Sequence, residues 1–186
     1  GAHSLGIVGN NGAGKSSLLK CMMGHLEPTS GRIIRPKSAH FAMVSQDVPE
    51  DLMGMTMRDL VTGGLPETNR DFDSWKVDVA LDAFETPADL RDRPMSQLSG
   101  GWRRLALVAR AQVSEPDALI LDEPTNHLDV EKIVMLENWL SSSMTGVPLL
   151  IVSHDRRFLD NCTNQTLFVR AVRSATYPVP YTAARR

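Results

Sequence analysis

The chain is short of cysteine. Cys21 and Cys162 are its only two in 186 residues. No disulfide framework or zinc pattern can be assembled from them, so two buried thiols in a reducing compartment are expected. Aromatic residues are also scarce, at 5%. No apolar run nears the roughly 18–20 residues that cross a bilayer. The longest candidates, such as Val147-Pro148-Leu149-Leu150-Ile151-Val152, have strand length, so direct membrane insertion is not expected. Neither charge dominates, since 20 Lys and Arg face 22 Asp and Glu for a formal −2. This excludes a free-standing polycation that grips nucleic acid by charge alone. The opening Gly1-Ala2-His3-Ser4-Leu5-Gly6 has no basic region followed by an apolar stretch, and so does not read as a signal peptide. With no initiator Met, the chain is expected to be a piece of something longer, working in the cytoplasm.

What is present is ordinary globular composition, 42% hydrophobic and 23% charged. Short apolar runs alternate with helical stretches. Leu5–Gly9, Ala118–Leu121, Pro148–Val152 and Gln165–Val169 read as buried strands. Arg32–Arg35 and His40–Ser45 read as two more around a Pro36-Lys37 turn. Helices are expected from Lys15 to about His25, from Thr56 through Val61, from Trp102 to about Ser114, from about Val130 to Ser142, and near Asp155. Asn69–Phe84 shows helical spacing at Phe72, Trp75, Val79, Leu81 and Phe84. Buried strands separated by helices call for a parallel sheet. After Arg170 the pattern fails, and the remainder reads as an exposed tail or the start of a linker.

Gly9-Asn10-Asn11-Gly12-Ala13-Gly14-Lys15-Ser16 fits the phosphate-loop spacing G-x-x-x-x-G-K-[ST], between a buried strand and a helix. Its glycines let successive N–H groups turn toward one point, and the positive end of the following helix adds to the same field. Lys15 can neutralise outer phosphates, and the Ser16 hydroxyl can ligate Mg²⁺. Ser17, next in the helix, is counted with the nucleotide-binding residues. A second element ends the strand Ala118–Leu121 with Asp122-Glu123. Strand alternation sends the two carboxylates to different sides. Asp122 is then suited to the Mg²⁺ shell and Glu123 to accepting a proton from water.

Leu98-Ser99-Gly100-Gly101-Trp102 supplies another Gly-rich helix start, hence another anion site, or simply a Ser99-capped helix. Gln46 follows in Val44-Ser45-Gln46-Asp47 and His154 in Ser153-His154-Asp155. In this order and spacing the chain resembles the ATP-binding-cassette superfamily, whose signature is LSGGQ-like. A GTPase is disfavoured because no [NT]-K-x-D motif is present. Asp122-Glu123-Pro124-Thr125-Asn126-His127-Leu128-Asp129 and Ser153-His154-Asp155-Arg156-Arg157-Phe158-Leu159-Asp160 resemble the ABC-F branch, whose tandem cassettes are associated with ribosomes. The ring of Trp102 reads as packing, and the pairs Arg103-Arg104 and Arg156-Arg157 as solvated faces.

The resemblance implies a mostly parallel α/β sheet of the phosphate-loop NTPase type, flanked by helices. It implies one cassette over residues 1–170, with a helical subdomain at about 50–110, and a tail or linker at 171–186. It also implies roles. Lys15 and the loop backbone bind the β- and γ-phosphates of ATP. Ser16 and Gln46 reach Mg²⁺, with Asp122 in support. Glu123 polarises the attacking water, and His154 contacts the γ-phosphate. Ser99, Gly100 and Gly101 act on a nucleotide held by a second cassette, and Asp129 lies at the seam between the two. The parent protein is expected to meet the ribosome. The family's adenine-stacking aromatic, which precedes the phosphate loop, has no counterpart in the eight residues before Gly9. An ATPase subunit of a membrane transporter is the alternative, and a nucleotide-binding module without catalysis is a third reading that an intact Glu123 argues against.

Overall fold

The computed structural model describes residues 3–45, 47–170 and 174–185. In chain order the strands are β1 (Ser4–Val8), β2 (Phe41–Val44), β3 (Ala118–Asp122), β4 (Leu149–Val152), β5 (Gln165–Phe168) and β6 (Ala175–Tyr177). The helices are α1 (Lys15–Met23), α2 (Met57–Thr62), α3 (Trp75–Asp82), α4 (Ala88–Arg91), α5 (Gly100–Val113), α6 (Val130–Ser142), α7 (Arg156–Cys162) and α8 (Tyr181–Ala184). The strands form one sheet in the order β2-β3-β4-β1-β5-β6. β1 to β5 pair in parallel, and β6 runs antiparallel to β5. Helices cover both faces, so the strands are apolar along their length rather than alternating with polar residues.

Strand alternation divides the core in two. Ile7, Ile120, Leu150 and Val152 point to the α1 side, where Leu19 closes the packing with Leu18, Met22 and Met23. Leu119, Leu121 and Ile151 point to the other, larger core, which holds Leu105 and Val108 of α5, Leu136 and Trp139 of α6, and Phe158 of α7. Fully burying each aliphatic side chain contributes about 1.5–3 kcal/mol. α2 and α3 pack on α5 away from the sheet, adding Leu60, Val61, Val77, Leu81 and Phe84 to that core. The sheet register matters most for function. Ile7 and Asp122 both stand opposite Val152. The carboxyl ends of β1, β3 and β4 are therefore level, and the segments that follow them open onto one rim.

Four expectations need correction. Arg32–Arg35 forms no strand: β2 pairs with β3, no neighbour is found for the earlier segment among the described residues, and Ile34 is 79% exposed. The helix expected within Asn69–Phe84 starts only at Trp75, after a 3₁₀ turn at Glu67–Asn69. Starting there, it buries Val77, Ala80 and Leu81, with Phe84 buried just past its end, and leaves Trp75 and Val79 exposed, as is Phe72 before it. α5 starts two residues before Trp102, with Gly100 and Gly101 in its first turn and the Ser99 hydroxyl accepting from the Trp102 N–H. Finally, 174–185 is not an exposed tail. β6 extends the sheet and Tyr181 is buried. Phe168, Tyr177 and Tyr181 meet as an aromatic cluster, the Thr166 hydroxyl donates to the Val179 carbonyl, and Asp160 accepts from Thr182. Pairing with β5 supplies the apolar contact that the segment's own periodicity does not reveal.

Candidate functional site

The loop after β1 wraps the start of α1. Ala13 N–H donates to Asn10 O at 3.0 Å, closing the turn. Gly14 stands at φ 96°, a left-handed conformation that strains any residue with a Cβ. At Gly9 the constraint is space: a Cβ would lie 2.6 Å from the Val169 carbonyl oxygen. The Lys15 ammonium folds back over the loop, donating to Gly9 O at 2.5 Å and Asn10 O at 3.1 Å.

A cleft of about 530 Å³ opens at this rim. Asn11, Gly12, Gly14, Lys15, Ser16 and Ser17 line one wall, and Asp122, Glu123, Asn126 and His154 line the other. Glu123 sits at φ 47° and ties itself to β4 through its N–H, 2.8 Å from Val152 O. Its largely buried carboxylate receives the His154 backbone N–H on Oε2 and faces His154 Nε2 from Oε1, both at 3.2 Å. Burial pushes the Asp122 carboxyl above the ordinary aspartate value, opposed by the charges of Arg104 and Lys15. Ser16 and Asp122 offer hard oxygen donors in one cleft, a set that fits Mg²⁺ held partly by substrate phosphates. Among the described residues, no group of three His, Cys, Asp or Glu is gathered around a metal.

Gly9, Asn10 and Ala13 face a second cleft on the other side of the loop, which Asn11, Gly12 and His154 share. Gln46 lies outside the described residues. The second glycine turn is not in the phosphate cleft. Gly100 lines a separate cavity with Asp47, Arg104 and His127, Ser99 caps α5, and Gly101 is buried with Lys132 and His127 against it. Asp129 caps α6 through the Lys132 N–H. Sequence reasoning missed Asn126 as a site residue, although it stands inside the motif run after Asp122. It also misread Arg104, which is 2% exposed rather than on a solvated face. Its position in a fourteen-residue helix, one turn before Val108 on the same buried face, was the available signal.

The family profile described as ABC transporter matches residues 2–126. The chain belongs to the family of ATP-binding cassettes. ATP hydrolysis is the activity of that family, and such cassettes bind ATP. The energy-dependent translational throttle protein EttA of Mycobacterium tuberculosis (strain H37Rv) is 33% identical over 212 residues, covering 95% of this chain and 37% of its own length. The ATP-binding protein Uup of Caulobacter vibrioides is 41% identical over 165 residues, covering 88% and 25%. These relatives are ABC-F proteins, consistent with the branch expected from the motifs. The cassette thus spans between a quarter and about a third of the curated relatives' lengths. Among solved structures, cbiO1 from Clostridium perfringens, part of the ABC transporter complex cbiONQ, is 27% identical, with a TM-score of 0.77 over 95% of this chain and 77% of that one. No helix of the described residues is long and apolar enough to cross a membrane.

Proposed function

We propose that this cassette binds and hydrolyses ATP with Mg²⁺ as one half of a cassette pair, in an ABC-F-type factor that acts on translation in the cytoplasm. The observation that carries the reading is the level register of β1, β3 and β4, which gathers the phosphate loop, Asp122-Glu123 and His154 around one cleft. In this reading Lys15 leaves its loop carbonyls for the β- and γ-phosphates, and the loop N–H groups take the remaining oxygens. Ser16, Asp122 and Gln46 hold Mg²⁺, which supplies charge neutralisation at the phosphates. Glu123 orients and deprotonates water, and His154 contacts the γ-phosphate. Catalysis is positioning plus electrostatic stabilisation of phosphoryl transfer.

Ser99, Gly100 and Gly101 serve the nucleotide of the facing cassette, because Gly100 opens into a cavity that shares no lining residue with the phosphate cleft. Residues 1–170 act as the nucleotide-binding unit, with about 50–110 presenting the signature helix. The relatives named for translation and the motif run Asp122–Asp129 support the ribosome as partner of the parent protein. A transporter subunit is the second reading, favoured by the likeness to the cbiO1 cassette. ATP-dependent co-sedimentation of a Glu123→Gln chain with ribosomes tests the first. Capture of a membrane-spanning partner, with no ribosome pelleting, overturns it in favour of the second.

A further inference from the structure

Arg104 is 2% exposed, yet none of the described carboxylates forms an ion pair with it. Its Nη1 donates to the Ser45 carbonyl at 2.5 Å, while its Nη2 is buried with no acceptor among the described residues. A buried cation with an idle donor is costly and calls for an explanation. Burial lowers the pKa of the guanidinium, and the first charge opposing that shift is Asp47, ahead of Asp122 and Glu123. Asp47 is exposed, belongs to the turn closed by Ser45 Oγ on the Asp47 carbonyl at 3.0 Å, and shares a cavity of about 420 Å³ with Arg104 and Gly100. Arg104 lies one turn inside α5 from Gly100. It therefore connects the second glycine turn to the chain leaving β2 toward Gln46.

We propose that Arg104 is a positioning residue that ties the signature helix to the segment after β2, and that its idle Nη2 takes up the Asp47 carboxylate when nucleotide draws that segment toward the phosphate cleft. The tie holds Gly100 and Gly101 in register with the filled site. This rests on the ATPase reading only in that nucleotide is the trigger. A residue kept for this work is not kept for stability, which separates the two roles by experiment.

The test compares Arg104→Met, Asp47→Asn and the double variant with the unaltered chain, using phosphate release at saturating Mg-ATP, affinity for a fluorescent ATP analogue, and Tm. Each single change is expected to lower turnover about tenfold and leave analogue affinity within about threefold, and the double variant falls no further than the worse single one. The Tm of Arg104→Met is expected to equal or exceed that of the unaltered chain, since an apolar isostere removes an uncompensated buried charge. Arg104→Lys keeps the cation and is expected to retain more turnover than Arg104→Met. Losses that multiply in the double variant overturn the tie. So does an Arg104→Met chain that melts lower or fails to fold, or one with undiminished turnover. An unaltered chain that releases no phosphate counts instead against the ATPase reading. In that case the tie is judged by hydrogen exchange at 45–48, where analogue-induced protection must be lost in Arg104→Met, and unchanged protection overturns it.

Discussion

Replacing Glu123 by Gln tests the assigned base with little disturbance elsewhere. The amide has the size of the carboxylate, and its oxygen can still accept the His154 backbone N–H that now reaches Oε2 at 3.2 Å. The contact between Oε1 and His154 Nε2, also 3.2 Å, loses its charge. The imidazole is 60% exposed, so solvent screens that pair and its loss costs at most about 1 kcal/mol. In a domain of this size that corresponds to a Tm change of roughly 2–4 °C. The left-handed backbone at residue 123 is common to both side chains and does not alter the comparison.

The chemical loss is far larger. A positioned general base contributes typically about 10²–10⁴ in rate, or roughly 2.7–5.4 kcal/mol of barrier at 1.36 kcal/mol per decade. Phosphate release at saturating Mg-ATP, measured beside analogue affinity and Tm, separates the two scales. The expected result is turnover down at least a hundredfold, affinity equal or tighter because a negative charge has left the cleft, and Tm within a few degrees. Turnover within twofold of the unaltered chain, with nucleotide bound, would refute the reasoning.

Lys15→Ala is expected to weaken ATP binding by about 10- to 150-fold, the worth of hydrogen bonds to a charged group, with little change in Tm; titration of a fluorescent analogue checks this. Phosphate release per molecule is expected to rise with protein concentration, since the two glycine turns of one chain face separate cavities; turnover independent of dilution contradicts pairing. Asp122→Asn is expected to raise Tm at pH 7 while weakening Mg²⁺ dependence. Because burial raises the folded-state pKa of Asp122 above 3.8, its carboxylate opposes folding at neutral pH. The stabilising contribution is complete below 3.8 and lost as pH rises through the folded value, so the gain from Asn should vanish when melting is repeated below pH 3.8; a gain that persists there contradicts the assignment.

The legible part of the molecule is the part whose structure is local. Ser99, Asp129 and Asp155 cap helices through hydrogen bonds spanning three residues, and spacing alone displays such pairs. The buried strands show as apolar runs because both sheet faces are covered. What escaped depends on contacts between distant segments. The docking of 174–185 rests on Phe168 meeting Tyr177 and Tyr181. The burial of Arg104 rests on Ser45, at the end of another strand. Arg35, which donates to the Met22 carbonyl, likewise serves the end of α1 and not a strand.

The same distinction bears on function. Sequence spacing brings each glycine turn to a helix N-terminus, and it reads identically whether the two turns serve one phosphate or two. Only the fold separates them. α1 begins at the end of β1, beside Asp122 and Glu123, whereas α5 begins beyond β2, near Asp47 and His127. Two glycine turns within one chain, lining cavities with no residue in common, need a second chain or a second cassette if both are to act on one triphosphate. A mixture of Lys15→Ala and Ser99→Arg chains decides this. Each is disabled alone, but a mixed pair retains one composite site with an intact loop from the Ser99→Arg chain and an intact signature from the Lys15→Ala chain. Phosphate release is expected to reappear on mixing in equal amounts, at about a quarter of the unaltered rate if association is random and sites act independently, since half of the pairs are mixed and each keeps one of two sites. A mixture as inactive as its components would show that the two glycine turns do not meet across a pair.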